Sequence, residues 1–339
     1  MLNHKMLAKI SSLFSKKIKS NRVAKSLYVF DKYTGFWGMP NIERFVQTDL
    51  RDEPIKVSHN SDGNRDDEII NIDSRGSIVV IGGSHSWGGG LDKNQRYSDL
   101  LASRIDRQVI NMGHASLGID QACIAIMKKT SKYNPKIIVL EQYPWAVIRI
   151  LNGYVNGYIK PLFSIDDTGN LKLKKVPRIM SFPFARKVLG SYYAFKKELQ
   201  EYRSGIDLQS NYDPLTDPIF LYWKINHYDY LYTLLEKILV VIRDYCRQHN
   251  IYLLLALGAI HQQFIGRNNS KLIDYELPRK KLAEILEKLE INYIDMTDEM
   301  MKNHTDEAPV IFHDGHINAK GNDVFANVIE SELKLRGWV

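Results

Sequence analysis

The sequence is poor in cysteine, with only Cys123 and Cys246 among its 339 residues. The two lie far apart, so neither the short spacing of a zinc or redox motif nor a disulfide framework is present. Both fall within helical patterns, which is typical of buried thiols in a reducing compartment. We therefore expect a cytoplasmic protein.

Long apolar runs are also missing. A secretory signal needs about 7–15 uninterrupted apolar residues and a membrane-spanning helix about 20, and neither pattern is found. Acidic residues are absent before Asp31, and the seven Lys and Arg residues of that stretch equal the whole net charge of +7. Because the remaining chain is formally neutral, we do not expect a nucleic-acid partner.

The basic start of the chain, residues 1–25, is amphipathic. On a helix, most of its apolar side chains would share one arc, which Lys17 interrupts, and most lysines would lie opposite. One interpretation is a helix lying on an anionic membrane surface, which would make the protein peripheral on the inner membrane face. The alternative is a solvated basic terminus, or a helix packed on its own domain or on a partner.

From residue 77 onwards, short apolar runs alternate with amphipathic stretches, which is typical of βα units on a parallel sheet. We interpret residues 26–75 as an irregular lead-in. The predicted fold class is a three-layer α/β/α sandwich around a five-stranded parallel sheet, of the flavodoxin-like type. The predicted strands cover residues 78–81, 108–111, 136–140, 251–257 and 293–296. The predicted helices cover residues 95–104, 119–133, 227–248, 279–290 and 319–336.

An insertion at about 146–226 does not fit this alternation. It mixes prolines with aromatic residues, namely Tyr154, Tyr158, Phe163, Tyr192, Tyr193, Tyr222 and Trp223. An insertion at the carboxyl end of a strand overlooks the usual ligand site of this architecture. It is interpreted either as a lid or binding wall, or as an ordinary subdomain whose aromatic residues form a small core of their own.

The clearest chemical motif is residues 78–88, IVVIGGSHSWG, an apolar strand followed by a glycine pair and a serine. Such a turn would expose the Ser84 hydroxyl at the carboxyl edge of the sheet. Backbone N–H groups of the turn could stabilise an oxyanion. A phosphate-binding loop or a plain βα turn would look similar.

A serine nucleophile needs a general base and a group that orients the base. Residues 312–321, FHDGHINAKG, offer both just before the last helical pattern. Asp314 and His316 are two residues apart, so in an extended segment their side chains share a face. Alternatively, Asp314 and Asn318 are turn and capping residues and His316 is a polar loop residue.

In combination, these motifs resemble the SGNH (GDSL-like) hydrolase superfamily. Residues 82–86, GGSHS, are similar to the opening block of that family, and residues 314–321 are similar to its closing block. Residues 109–113, VINMG, resemble the second block, and residues 60–68 resemble a lead-in of bacterial members. The resemblance covers roughly residues 56–335 apart from the insertion, and it implies a catalytic triad of Ser84, Asp314 and His316.

The chain departs from the family's pattern in three blocks. Gly83 stands where an aspartate is usual, and Ser116 stands where a glycine supplies a backbone donor to the oxyanion hole. The third block reads LEQYPW over residues 140–145 and lacks the family's asparagine. We therefore expect an oxyanion hole formed by Ser84, Gly113, Ser116 and Gln142, with the Trp145 indole as an alternative donor.

We expect no metal and no cofactor. The histidines at strand ends, His85, His114 and His261, lack ligand spacing, and no third glycine follows Gly82 at dinucleotide spacing. His85, His114 and Trp145 are predicted to contact the substrate. The role of Glu141 stays open between an acid or base and a turn residue.

Three functions follow as hypotheses. The first is hydrolysis of a small-molecule or glycan ester through an acyl-Ser84 intermediate, as in carbohydrate or lipid esterases and deacetylases. The second is O-acyl transfer to a sugar or polysaccharide by the same triad. The third is a degenerate binding protein that keeps the fold, which the missing asparagine motivates.

Overall fold

The fold is described by a computed structural model that covers residues 27–155, 158–185, 188–189, 228–259, 276–305 and 307–339. Several predictions fall outside these ranges. The amphipathic segment 1–25, His261, and the aromatic residues Tyr192, Tyr193, Tyr222 and Trp223 of the insertion lie outside the described residues. Within the described residues, no helix is long and apolar enough to cross a membrane.

The strands are β1 (Tyr28–Asp31), β2 (Gly35–Gly38), β3 (Ile42–Val46), β4 (Ile55–His59), β5 (Ser77–Ile81), β6 (Val109–Asn111), β7 (Pro135–Gln142), β8 (Tyr154–Val155), β9 (Tyr158–Ile159), β10 (Leu162–Ile165), β11 (Leu171–Lys174), β12 (Tyr252–Leu257) and β13 (Asn292–Asp295). The α-helices are α1 (Ser84–Trp87), α2 (Tyr97–Arg104), α3 (Ile119–Lys129), α4 (Tyr228–Gln248), α5 (Leu277–Lys288), α6 (Thr297–Asn303) and α7 (Ala319–Leu335). Single 3₁₀ turns supplement them at Lys93–Gln95, Ser131–Tyr133, Pro144–Leu151 and Arg178–Ser181.

The central sheet has five parallel strands in the spatial order β6-β5-β7-β12-β13. Numbered by their sequence among these five, the order is 2-1-3-4-5, that of flavodoxin-like folds. Each predicted strand and helix is found within a few residues of its expected bounds. The predicted five-stranded α/β/α sandwich is confirmed.

The two faces of the sheet bury alternate residues of the same strands. Val79 and Ile81 of β5 pack into a core with α3, α4 and α5. Ile78 and Val80 pack into a second core with α2, α6 and α7. This two-residue period explains why strands buried on both faces appear in the sequence as continuous apolar runs.

The lead-in is more regular than expected. Residues 28–59 form two antiparallel hairpins, β1-β2 and β3-β4, instead of irregular chain. The first hairpin is closed by Asp31, whose Oδ1 accepts from the N–H of Thr34 at 2.8 Å, and it buries Phe36 and Trp37. Strands of four or five residues are too short for an alternating pattern to be recognised reliably.

The described part of the insertion begins with the 3₁₀ segment Pro144–Leu151 and continues as two hairpins, β8-β9 and β10-β11. Phe163 packs into the core that contains α3 and α4. Tyr158 is buried, and its hydroxyl donates to the Tyr28 carbonyl at 2.9 Å. These two aromatic side chains are therefore core residues shared with the sheet and with the lead-in hairpins, and do not belong to a core of the insertion alone.

Candidate active site

Ser84 lies at the topological switch point of the sheet. It follows β5, and the neighbouring strand β7 ends at Gln142 on the same edge. Connections after β5 and β7 leave the sheet on opposite faces, and the crevice between such strands is where ligands bind in open α/β sheets. Ser84 is half-buried and opens the short helix α1.

A serine, a histidine and an aspartate meet in this crevice. His316 Nε2 lies 2.8 Å from Ser84 Oγ, and His316 Nδ1 lies 2.6 Å from Asp314 Oδ2. The ionised carboxylate accepts a hydrogen bond from Nδ1–H, and in this tautomer Nε2 carries no proton and can accept from the Ser84 hydroxyl. The three residues that the motifs select thus form a continuous series of hydrogen bonds, from Ser84 through His316 to Asp314.

The loop that carries His316 is held by its own backbone. The N–H of Phe312 donates to the His316 carbonyl at 2.7 Å, and Ile311 and Ile317 form a bridge across the loop. Gly315, at φ +91°, adopts the left-handed turn conformation between Asp314 and His316. Asn318 then begins α7, because its Oδ1 accepts from the N–H of Gly321 at 3.0 Å.

The Asp314 carboxylate is kept ionised by its partner. Burial acts to raise the pKa of Asp314, but the hydrogen bond and the charge of His316 outweigh burial and hold that pKa below its ordinary value. Asp314 Oδ1 also accepts from the backbone N–H of His316 at 2.9 Å. Both contacts orient the imidazole towards Ser84.

Glu141 holds the turn before the serine. Its Oε2 accepts from the Gly83 N–H and from the Ser86 hydroxyl, both at 2.9 Å. A Cβ on Gly82 would lie 2.4 Å from the same oxygen, so only glycine fits there. Burial raises the pKa of Glu141 and the two hydrogen bonds oppose that rise. Of the two roles left open for Glu141, these contacts favour the turn residue.

Arg65 anchors the other side of the turn, and sequence reasoning missed it. Its guanidinium is buried and donates to the carbonyls of Trp87, Gly88 and Leu91 at 2.9, 2.7 and 2.6 Å. These carbonyls lie at the end of α1 and just after it. One side chain therefore supplies the hydrogen-bond donors for the backbone at the end of residues 82–90, which we call the nucleophile turn. The polar run 60–68, in which Arg65 lies, was the only signal for this role.

His85 stacks on the histidine of the triad. Its ring lies between Tyr143, with centroids 3.6 Å apart, and His316, with centroids 4.7 Å apart. Burial, and then the charge of His316, lower the pKa of His85 well below its ordinary value, so the ring is neutral. A substrate contact by His85 stays a prediction, and the contact that the structure shows is its stacking on His316.

The predicted oxyanion donors divide into two pairs. Ser84 is the first residue of α1, so its backbone N–H has no partner within that helix. Ser116 adopts a left-handed backbone conformation at φ +66°, which favours glycine. The Gly113 N–H already donates to Asn111 Oδ1 at 2.8 Å, and Gln142 Nε2 donates to the Tyr143 carbonyl at 2.5 Å. Gly113 and Gln142 are therefore engaged elsewhere.

Two of the residues predicted to contact the substrate, His114 and Trp145, are buried. His114 is fully buried, and its ring lies 3.9 Å from the ring of Trp37. Trp145 is buried in the core with α3 and α4. Both residues follow strand ends. The hairpin β1-β2 covers His114, and the 3₁₀ segment Pro144–Leu151 places Trp145 in the core. Neither covering element was visible in the local sequence.

Arg149 was not predicted and borders the nucleophile turn. Its Nη1 would lie 3.6 Å from a Cβ placed on Gly83, the residue before Ser84. It comes from the 3₁₀ segment Pro144–Leu151 after β7. An apolar, amphipathic segment with a single arginine gives no local signal that the arginine faces a site.

Among the described residues, no group of three or more His, Cys, Asp or Glu side chains is arranged to hold a metal ion.

No protein-family model matches the chain, and no curated protein matches it. Solved structures of similar fold include an acetyl xylan esterase, at 13% identity and TM-score 0.43 over 76% of this chain and 99% of that chain. A lipolytic protein of the G-D-S-L family from Veillonella parvula has 10% identity and TM-score 0.41 over 74% and 94%. TesA has 12% identity and TM-score 0.44 over 76% and 98%.

At these identities and TM-scores the comparisons assign neither a family nor an activity, so the chemistry has to be argued from this chain's own residues.

Proposed function

We propose that the chain is a serine-dependent ester hydrolase that works through an acyl-Ser84 intermediate. The observation that carries the proposal is the hydrogen-bonded series from Ser84 Oγ through His316 to Asp314, with distances of 2.8 and 2.6 Å. A general base within hydrogen-bonding reach of the hydroxyl, itself oriented by a third group, is the requirement for an activated serine.

In the acylation step, Ser84 Oγ attacks the ester carbonyl carbon while His316 Nε2 takes the hydroxyl proton. The new C–O bond pushes the carbonyl π electrons onto oxygen, which becomes an oxyanion. Collapse of this intermediate breaks the bond to the leaving alcohol, and His316 returns the proton to that oxygen. The products of the step are the free alcohol and acyl-Ser84.

Deacylation repeats the step with water as the nucleophile. His316 takes a proton from water as it attacks the acyl carbon, and the second collapse restores the Ser84 hydroxyl with that proton. Asp314 stays ionised throughout, because its pKa is held below its ordinary value.

The proposal is tested by labelling with a fluorophosphonate probe, which reacts with activated serines. We expect the native chain to be labelled and Ser84→Ala and His316→Ala to lose the label. His313→Ala is the matched control, because His313 lies in the same loop but is exposed and outside the triad. It should be labelled at the native rate, with folding of all variants checked by circular dichroism.

A folded native chain that resists the probe and releases no alcohol from simple esters would overturn the proposal. Labelling that survives in Ser84→Ala would place the reactive group elsewhere.

A further inference from the structure

Arg149 is a cation without an anionic partner in the described part of the chain. It is half-buried, and its one hydrogen bond to a described residue runs from Nη1 to the Leu117 carbonyl at 3.4 Å, near the upper limit for such a bond. No carboxylate of the described residues lies within ion-pair distance of it. A partly buried charge that lacks a partner is costly, so its retention calls for a function.

The guanidinium faces the turn that presents the nucleophile. A Cβ built on Gly83 would lie 3.6 Å from Arg149 Nη1, 3.7 Å from the Leu117 carbonyl oxygen and 3.9 Å from Glu141 Oε2. All three are ordinary contact distances, so a Cβ on Gly83 would make van der Waals contact with Arg149 without a clash. Ser84 is the next residue, and Ser116 is the residue before Leu117. Arg149 therefore lies near Ser84 and Ser116, whose backbone N–H groups donate to no described residue.

The surrounding charges do not neutralise Arg149 by contact. The fully buried Lys160 ammonium pairs with Asp120, and Glu141 is occupied by the Gly83 N–H and the Ser86 hydroxyl. Burial lowers the pKa of Arg149, while the more distant charges of Glu141 and Asp120 act to raise it. An arginine keeps its proton under these conditions, so a positive charge remains available beside the turn.

We propose that Arg149 stabilises the oxyanion formed when Ser84 attacks an ester carbonyl. The inference rests on the proposed hydrolase function and deepens it. As the C–O bond to Ser84 forms, the carbonyl π electrons move onto oxygen, which becomes negatively charged. The guanidinium N–H groups donate hydrogen bonds to this oxygen together with the backbone N–H groups of Ser84 and Ser116. Arg149 thereby supplies the side-chain donor that the engaged Gln142 amide does not supply.

The test uses the full chain and hydrolysis of p-nitrophenyl acetate, a neutral ester. We expect Arg149→Met to lower kcat about 100- to 1000-fold with little change in KM, as for removal of one oxyanion donor. Arg149→Lys should lose less, because it keeps the charge but not the planar fork. Arg178→Ala is the matched control, since Arg178 is an exposed arginine of the same insertion and should behave as native.

Chemical rescue separates this role from a structural one. Guanidinium chloride at a non-denaturing concentration should restore part of kcat in Arg149→Ala and leave Arg178→Ala unchanged. A folded Arg149→Met with native kcat, or a change in KM alone, would overturn the inference while Ser84-dependent hydrolysis stands. Absence of Ser84-dependent hydrolysis in the native chain would instead remove the proposed function, and this inference with it.

Discussion

The nucleophile turn and the histidine loop face each other across the site but are stabilised differently. The turn at residues 82–90 depends on distant residues, chiefly Glu141 and Arg65, whose contacts with it are buried. The loop at residues 311–318 is held by its own backbone and by Asn318. A change in the loop should therefore alter chemistry with little effect on stability, whereas a change under the turn should alter both.

The largest expected effect tests the loop. In Asp314→Asn, an amide NH₂ facing His316 Nδ1 favours the tautomer with the proton on Nε2, which cannot accept a proton from Ser84. We expect kcat to fall about 10⁴-fold and the melting temperature to stay near native, because Asp314 is one-third exposed in a local loop. Steady-state kinetics and a thermal melt check this, and a kcat within tenfold of native would contradict it.

The next effect tests the turn. Glu141→Ala leaves the buried Gly83 N–H without its acceptor, at about 1–3 kcal/mol in the free energy of unfolding, and removes one of the two hydrogen-bond partners of the Ser86 hydroxyl, the other being the Tyr97 hydroxyl. We expect a total loss of about 3–5 kcal/mol, with the added cavity included, and slower fluorophosphonate labelling. Urea unfolding measures the loss in the free energy of unfolding. Glu141→Gln is the control, because its amide oxygen can accept from both donors, and equal damage in both variants would argue against the hydrogen bonds.

A smaller, pH-dependent effect concerns His114, whose N–H donates to the Gly82 carbonyl at 3.1 Å beneath the turn. Burial, and then the charges of His59 and Lys129, lower the pKa of the His114 ring well below its ordinary value. Below about pH 6.5 the His114 ring binds a proton in the unfolded chain but not in the folded chain. The free energy of unfolding therefore falls with falling pH, by up to about 1.4 kcal/mol per pH unit.

His114→Leu removes the ring that takes up this proton in the unfolded chain, together with two ring nitrogens that have no hydrogen-bond partner among the described residues. We expect the difference in unfolding free energy between pH 7.5 and pH 5 to shrink in this variant. It should not vanish, since burial also lowers the pKa of His59 to about 4. Exposed His313→Ala should keep the native difference, and a native difference in His114→Leu would refute the assignment.

The smallest effect concerns Ser116, in the loop beside the turn. At φ +66°, a non-glycine residue is strained, and Ser116→Gly relieves about 1–2 kcal/mol of strain against about 0.5–1 kcal/mol of added unfolded-state entropy. We expect a gain of roughly 0.5 kcal/mol and an unchanged labelling rate, because the backbone N–H remains. A marked drop in labelling would show that the serine side chain takes part.

The sequence by itself determined the layers of the sandwich, its five strands and the three residues Ser84, Asp314 and His316 that the structure joins by hydrogen bonds. Strands buried on both faces need continuous apolar runs, and amphipathic helices need a 3.6-residue period, so both leave local patterns. Ser84, Asp314 and His316 could be selected because each lies in a short motif at the end of a strand or before a helix. Their mutual distances follow from the parallel sheet, which gathers such ends at one edge.

Tertiary structure alone decided which other side chains surround the triad. Glu141 and Arg149 lie 58 and 66 positions along the chain from Gly83, and Arg65 lies 22 positions from Trp87, the nearest turn residue that it contacts. His114 and Trp145 have the same strand-end placement as true site residues, yet the hairpin β1-β2 and the insertion bury them. Contacts between distant segments depend on how layers pack, and packing leaves no periodic trace in the residues that it brings together.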